Sequence, residues 1–159
     1  MAEFCHTREE VSELFDRWLE ANKRAEADRD WAPLADFYAE DAVYSYTMGA
    51  FGRRVARGRK AIKELVMERD MTGFDGWTFP YDWVVIDGDK VMTKWHNQAP
   101  YQREDGSPYR VVGMSAIRLN DRLEIVEMED NFDLAALLAM IEELREKGFK
   151  VDVPSSPDL

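Results

Sequence analysis

The sequence is poor in the residues that metal and redox chemistry rely on. Cys5 is the single cysteine in 159 residues and His6 and His96 are the only histidines, so an intrachain disulfide and a cysteine/histidine zinc site are both excluded. No stretch approaches the roughly 20 apolar residues that span a bilayer, and Met1 to Glu10 shows no basic segment followed by an apolar one. A soluble, cytoplasmic protein is therefore expected. Basic residues are also in deficit, 21 against 32 acidic ones, for a formal charge of −11. Such a chain repels a phosphate backbone, which argues against nucleic acid as a partner. There is no phosphate-binding loop, no dinucleotide glycine fingerprint, no nucleophile elbow and no zinc-protease helix. Neither a cofactor nor a metal is expected.

Apolar material, by contrast, is ample. Hydrophobic residues make up 45% of the chain, with five tryptophans, six tyrosines and eight phenylalanines, enough for one core in one domain over about residues 1–150. Thr7 and Glu10 have capping-box spacing, and Val11, Leu14, Phe15, Trp18 and Leu19 then recur at helical steps, which predicts a helix to about Asp28. Asp30 and Pro33 open a second, short helix with Leu34, Phe37 and Tyr38 on its buried side. Alternation from Ala42 marks a strand with Tyr44, Tyr46 and Met48 on one face. Gly49 to Lys60, rich in glycine and arginine, reads as a loop into a helix carrying Ile62, Leu65 and Val66. Trp77, Phe79, Tyr81, Trp83 and Val85 alternate as a strand, and strands follow over Lys90 to about Gln102, Tyr109 to Leu119 and Arg122 to Asn131. A helix from about Asp133 to Lys147 ends at Gly148, and residues 151–159 form an irregular tail. Helices, a strand, a helix and an antiparallel meander describe an α+β domain.

Strand parity locates the candidate chemistry, because side chains two apart share a face. Asp130 shares its face with Val126, Met128 and Phe132; a carboxylate there loses hydration, which raises its pKa toward the range useful for proton transfer. The competing reading is that Asp130 caps the helix that follows. On the preceding long strand, Val91, Thr93, Trp95 and Asn97 form the inner set. An inward Asn97 can hold a substrate oxygen or a water, or be an amide satisfied by backbone. His96 falls beside Lys94 on the solvent or dimer side. Tyr44 and Tyr46 could aim phenols at a developing oxyanion or simply pack. The aromatic run from Phe74 to Trp83 could line a pocket for a flat ligand, or fill the core. For the basic cluster from Arg53 to Lys60 the alternatives are a solvated helix start and capture of an anion.

Two stretches carry a resemblance: Phe37-Tyr38-Ala39-Glu40-Asp41-Ala42-Val43-Tyr44, and Ile125-Val126-Glu127-Met128-Glu129-Asp130-Asn131-Phe132-Asp133 before a leucine-rich helix. They resemble the nuclear transport factor 2-like superfamily, and within it the branch of SnoaL-like polyketide cyclases and limonene epoxide hydrolases. The resemblance implies a cone-shaped α+β fold, a curved mixed, mainly antiparallel sheet with about four helices enclosing a hydrophobic pocket. It also implies homodimers and cofactor-independent acid/base chemistry or simple ligand binding. Position by position, the epoxide hydrolases have an aspartate at Asp130, a tyrosine at Tyr44 and an asparagine at Tyr46, but an arginine and a second aspartate where this chain has Trp95 and Asn97. The water-activating set is thus incomplete and epoxide hydrolysis becomes the runner-up. The reading favoured is a lyase or isomerase acting on a small hydrophobic aromatic or polycyclic compound. In it Asp130 moves the proton, Tyr44 with Tyr46 steadies the oxyanion, Asn97 positions substrate or water, and Trp83, Trp95, Met128 and Phe132 form the apolar wall. The alternative from another class is a non-catalytic protein that binds a hydrophobic ligand.

Overall fold

The computed structural model describes residues 5–153. Helix α1 spans Arg8–Asp28. Its start is the expected capping box: the Thr7 hydroxyl accepts from the Glu10 amide at 3.2 Å, and the Glu10 carboxylate accepts from the Thr7 amide at 2.8 Å. Val11, Leu14, Phe15 and Trp18 are buried along one side. The short helix that follows is 3₁₀, Ala32–Phe37, with the Ala32 amide donating to Asp30 at 3.0 Å.

Six strands make one sheet in the order β2-β1-β6-β5-β4-β3, with β1 Tyr38–Thr47, β2 Arg53–Arg57, β3 Tyr81–Asp87, β4 Lys90–Gln102, β5 Pro108–Leu119 and β6 Ile125–Phe132. All neighbours are antiparallel except β1 and β6, the first and last strands, which run parallel near the centre. This is the mixed, mainly antiparallel α+β architecture expected. Register shifts in β1, β3, β4 and between β5 and β6 supply the irregularities that bend and twist a sheet.

Three local readings are corrected. The Gly49 to Lys60 segment is not a simple loop: Arg53–Arg57 pairs with β1 as an edge strand, and Arg59 begins helix α2, Arg59–Ala61, which continues as a π-helix over Ile62–Asp70. The wider π turn presents Ile62, Val66 and Met67 inward and leaves Leu65 exposed, where a regular helix would have brought Leu65 alongside Ile62. β1 starts at Tyr38, earlier than its alternation suggests, because a register shift between Tyr38 and Val43 places exposed Glu40 and Asp41 side by side. In the aromatic run, the strand begins only after Pro80, and a shift between Tyr81 and Trp83 breaks the alternation.

Helix α3, Leu134–Glu146, is capped by Asp133, whose carboxylate accepts from the Ala136 amide at 2.9 Å. Asp133, not Asp130, therefore starts this helix. Two apolar clusters result: a larger one between α1, α2 and the sheet, and a smaller one of Trp77, Tyr109, Leu137, Met140, Ile141 and Leu144 under α3. After α3 the chain turns at Gly148 and comes back, with Arg145 donating to the Val151 and Val153 carbonyls and Val153 buried. The front of the expected irregular tail is thus fastened down; its remainder, with Pro154 and Pro157, lies outside the described residues. Gly73 faces this strap so closely that a Cβ would sit 2.6 Å from the Asp152 carbonyl oxygen, and its φ of +90° is one that glycine adopts freely.

Candidate functional site

A cavity of about 320 Å³ opens between the two apolar clusters. Trp18, Leu34, Tyr38 and Met128 line it from one cluster and Leu137, Ile141 and Val153 from the other. An apolar cavity of about 150 Å³ holds a benzene ring, so this one has room for a compound of two or three rings.

Asp130 sits in its wall, 8% exposed. Removal from water pushes its carboxyl up to about 6, against hydrogen bonds from Ser115 and Tyr44 and the charge of Arg53, which pull the other way. Both oxygens are held: Oδ1 accepts from the Ser115 hydroxyl at 2.6 Å and Oδ2 from the Tyr44 hydroxyl. Burial, followed by the Asp130 charge, raises the Tyr44 phenol well above its ordinary value, so Tyr44 remains a proton donor. The chain of donors extends one step further, since the Trp95 indole donates to Ser115 at 2.8 Å. Trp95 can reach Ser115 because the residue between them on the sheet is Gly113. The indole lies across it, and a Cβ there would be 2.6 Å from the ring.

The strand-parity candidates meet in this cavity, with one exception. Tyr44, Tyr46, Trp95, Asn97, Met128, Asp130 and Phe132 all line it. Trp83 does not: the register shift in β3 turns it to the outer face, where it is 39% exposed. Phe79 and Tyr81 line the wall instead. The phenols are placed as expected but occupied differently. Tyr44 spends its one proton on Asp130, and Tyr46 donates to Asp70 at 2.6 Å, so neither points a spare donor at an oxyanion. Asn97 is 5% exposed and lines the cavity, and its Nδ2, itself buried, has no hydrogen-bond partner among the described residues. His96 lies on the outer face of the sheet as its parity indicates but is buried there, 8% exposed, with Asp82 at 3.0 Å, and Lys94 is 2.9 Å from the same carboxylate. Lys94, then His96, hold the Asp82 carboxyl below its usual value.

Ser115, Gly113 and Asp70 escaped the sequence reading, and Arg54 was weighed there only as part of the basic cluster from Arg53 to Lys60. A signal for the first two was present: on the inward set Val111, Gly113, Ser115, Ile117, Leu119, the small residues interrupt an apolar face. The place of Arg54 in the cavity wall was hidden because its glycine-flanked segment does not read as a strand. Among the described residues no group of histidine, cysteine, aspartate and glutamate is arranged to hold a metal ion, and no helix is long and apolar enough to cross a membrane.

Solved structures with this architecture are nuclear transport factor 2-like proteins. One of unknown function from Mesorhizobium loti superposes with a TM-score of 0.59 at 24% identity, covering 79% of this chain and 92% of that one. TerC, crystallised with polyporic acid, gives 0.60 at 20% identity over 79% and 96%. A putative SnoaL-like polyketide cyclase from Shewanella putrefaciens gives 0.62 at 16% identity over 84% and 86%. The sequence pattern of the SnoaL-like domain family matches residues 15–128, and the chain belongs to that family. No protein of curated function matches it.

Two outcomes follow from the geometry around Asp130. Gly113→Ala forces the indole off Ser115 in a packed interior; the expected loss is about 1–3 kcal/mol of stability by chemical denaturation, and an unchanged midpoint would contradict the close approach. For Asp130 the sign is fixed by its raised pKa: the native state binds the proton more tightly than the unfolded chain, so its ionisation destabilises the fold as pH rises from about 4 to about 6. The full cost is about 3 kcal/mol. Asp130→Asn should therefore gain stability relative to wild type across that interval and hold the gain above it; a difference independent of pH would refute the assignment.

Proposed function

We propose that the protein is a cofactor-independent acid/base enzyme, a lyase or isomerase of the dehydration or retro-aldol type, acting on a small hydrophobic aromatic or polycyclic compound. The observation that carries this reading is the buried Asp130 carboxyl, poised at about 6 in a mainly apolar, ligand-sized cavity. A base of that pKa is ionised at neutral pH yet basic enough to accept a proton from carbon or oxygen. Tyr44 and Ser115 fix its orientation, leaving the substrate to approach the remaining lone pairs. Asn97 supplies the amide donor for the oxygen on which negative charge develops, and Trp95, Phe132 and Met128 with Phe79 hold the rings and keep out water. Both steps of such a reaction need one positioned base and one oxyanion donor. The co-crystal of TerC with polyporic acid supports a small-molecule ligand in this fold. A second reading, a binding protein without turnover, rests on the same apolar cavity.

We further propose a homodimer formed through the outer face of β3, β4 and β5. Trp83, Val85, Met92, Val112 and Met114 lie on adjoining rows of that face and are between 38% and 52% exposed, a concentration of apolar surface that marks interaction sites.

Asp130→Asn should lower kcat/KM by at least about a hundredfold, the usual worth of a general base, whereas His96→Ala, on the outer face, should change it by less than about threefold. Wild-type kcat/KM should fall below about pH 6 as Asp130 takes up its proton. Equal losses in the two variants would overturn the assignment, and a ligand recovered unchanged with affinity indifferent to Asp130→Asn would establish the binding protein. Met114→Glu should convert a dimer to a monomer in light scattering at micromolar concentration; an unaltered mass would move the interface elsewhere.

A further inference from the structure

The hydroxyl groups of the cavity wall can be followed proton by proton. Tyr44 and Ser115 donate to Asp130, Tyr46 donates to Asp70, Tyr38 donates to the Met128 sulfur at 3.0 Å, and Thr72 donates to the Glu68 carbonyl at 3.2 Å. Tyr81 differs. Among the described residues its oxygen accepts one hydrogen bond, from the Trp18 indole at 3.1 Å, and its own proton goes to no protein acceptor. Trp18 and Tyr81 both line the cavity, and Asp130 is near enough for its charge to act on the Tyr81 phenol. The hydroxyl end of the ring thus belongs to the Asp130 side of the cavity.

The pair is held by the fold on both sides. Tyr81 opens β3 and pairs with Trp95 of β4, ahead of the register shift that turns Trp83 outward. Trp18 comes from the buried stripe of α1, 4% exposed, with Phe37 edge-on at 5.2 Å and Tyr38 at 6.1 Å. These rings clamp the indole, and the indole fixes the phenol oxygen. A hydroxyl that accepts from an indole is polarised and donates more strongly. Burial raises the Tyr81 phenol above its ordinary value; the Trp18 hydrogen bond opposes that shift, and the charges of Asp130 and Glu26 add to it. Tyr81 therefore keeps its proton at neutral pH. The same two negative charges disfavour an anion at the hydroxyl. A ligand hydroxyl would bring a proton that needs an acceptor of its own, whereas a ketone brings only lone pairs.

We propose that Tyr81, positioned by Trp18, is the recognition point for an uncharged carbonyl oxygen, so that the ligand class is a ring ketone. The proposal rests on the reading of the Asp130 cavity as a ligand site, and it holds for a substrate as for a ligand that is not turned over. Asn97 lies further along β4 than Trp95, the register partner of Tyr81, so the phenol adds a donor to the amide assigned above. One directional hydrogen bond in a wall made mostly of rings and aliphatic side chains fixes how a flat molecule lies in it.

The test uses the full chain and two probes of the same ring size, 1-tetralone and tetralin, which differ by the carbonyl. In calorimetric titration Tyr81→Phe should weaken tetralone binding about tenfold, the worth of one buried hydrogen bond. Tetralin, which also reports on the integrity of the fold, should bind the variant as it binds wild type. The infrared carbonyl stretch of bound tetralone should lie at lower frequency in wild type than in Tyr81→Phe. Trp18→Phe keeps a ring in place but removes the N–H, and should move the stretch part of the way toward its Tyr81→Phe value; a merely space-filling Trp18 would leave it unchanged. Equal effects of Tyr81→Phe on the two probes, a stretch indifferent to Tyr81→Phe, or no binding of either probe at millimolar concentration would each overturn the proposal, and the last would remove the ligand-site reading with it. Failure of the catalytic reading looks different: Asp130→Asn would turn over substrate as wild type does while the Tyr81 effect on tetralone persisted.

Discussion

A carboxylate held away from water is the constraint around which the interior is arranged. Asp130 could have been satisfied by an arginine beside it, as buried acids commonly are, and its pKa would then be low. Here its partners are neutral: a serine hydroxyl and a tyrosine hydroxyl, with an indole behind the serine. Neutral donors stabilise the ionised form only in part, so desolvation wins and the group settles near 6. Everything close to it follows from that choice. Ser115 must be small and hydroxylic, Trp95 must lie flat to reach it, and position 113 must have no side chain for Trp95 to lie on. The tension between burial and hydrogen bonding sets this carboxyl between two limits, since a fully paired aspartate would be a weaker base and an unpaired one would remain protonated.

The second consequence concerns division of labour between the two faces of the sheet. The ion pairs Lys94–Asp82 and Arg53–Glu129 are on the outer face, where solvent screening makes them worth little; His96 lies on the same face but is buried. Inside, most polar groups have an assignment to a neighbour, but the Thr93 hydroxyl and the Asn97 amide nitrogen, on the inner face of β4, have no hydrogen-bond partner among the described residues. An unmet polar group in a dry wall carries a standing cost.

Much of this was legible in the residues, for reasons that can be named. The capping box at Thr7, the helix stripes and the parity of β4 and β6 are local or short-range signals, and each places its side chains where the structure has them. Asp130 stood out because a carboxylate on an otherwise apolar strand face is costly and so informative. What escaped was set by irregularity. The shift between Tyr81 and Trp83 inverts parity with no mark but the proline before it, which turned Trp83 outward. The π winding of α2 exposes Leu65 although its sequence is ordinary for an α-helix. β2 owes its strand state to pairing with β1, not to its own arginine-rich composition, and the inward position of Arg54 went unnoticed with it. The partners of Tyr44 and Tyr46 were likewise out of reach, because which acceptor takes a phenol proton depends on contacts between residues far apart in the chain.

The parallel pairing of β1 with β6 has an effect on the order of events during folding. Tyr44 and Asp130 are 86 positions apart, and nothing nearer in the chain can substitute for the contact between their strands. The hairpins of β3, β4, β5 and β6 can form from neighbouring segments, but closing the loop between the outermost pair demands most of the chain and its entropy. On a ribosome, the first strand must wait with an unpaired edge until the last has emerged. The buried pairing of Tyr44 with Asp130 therefore comes into existence only at the completing step, and a half-made chain holds a tyrosine and later an aspartate that behave as any solvated side chains do.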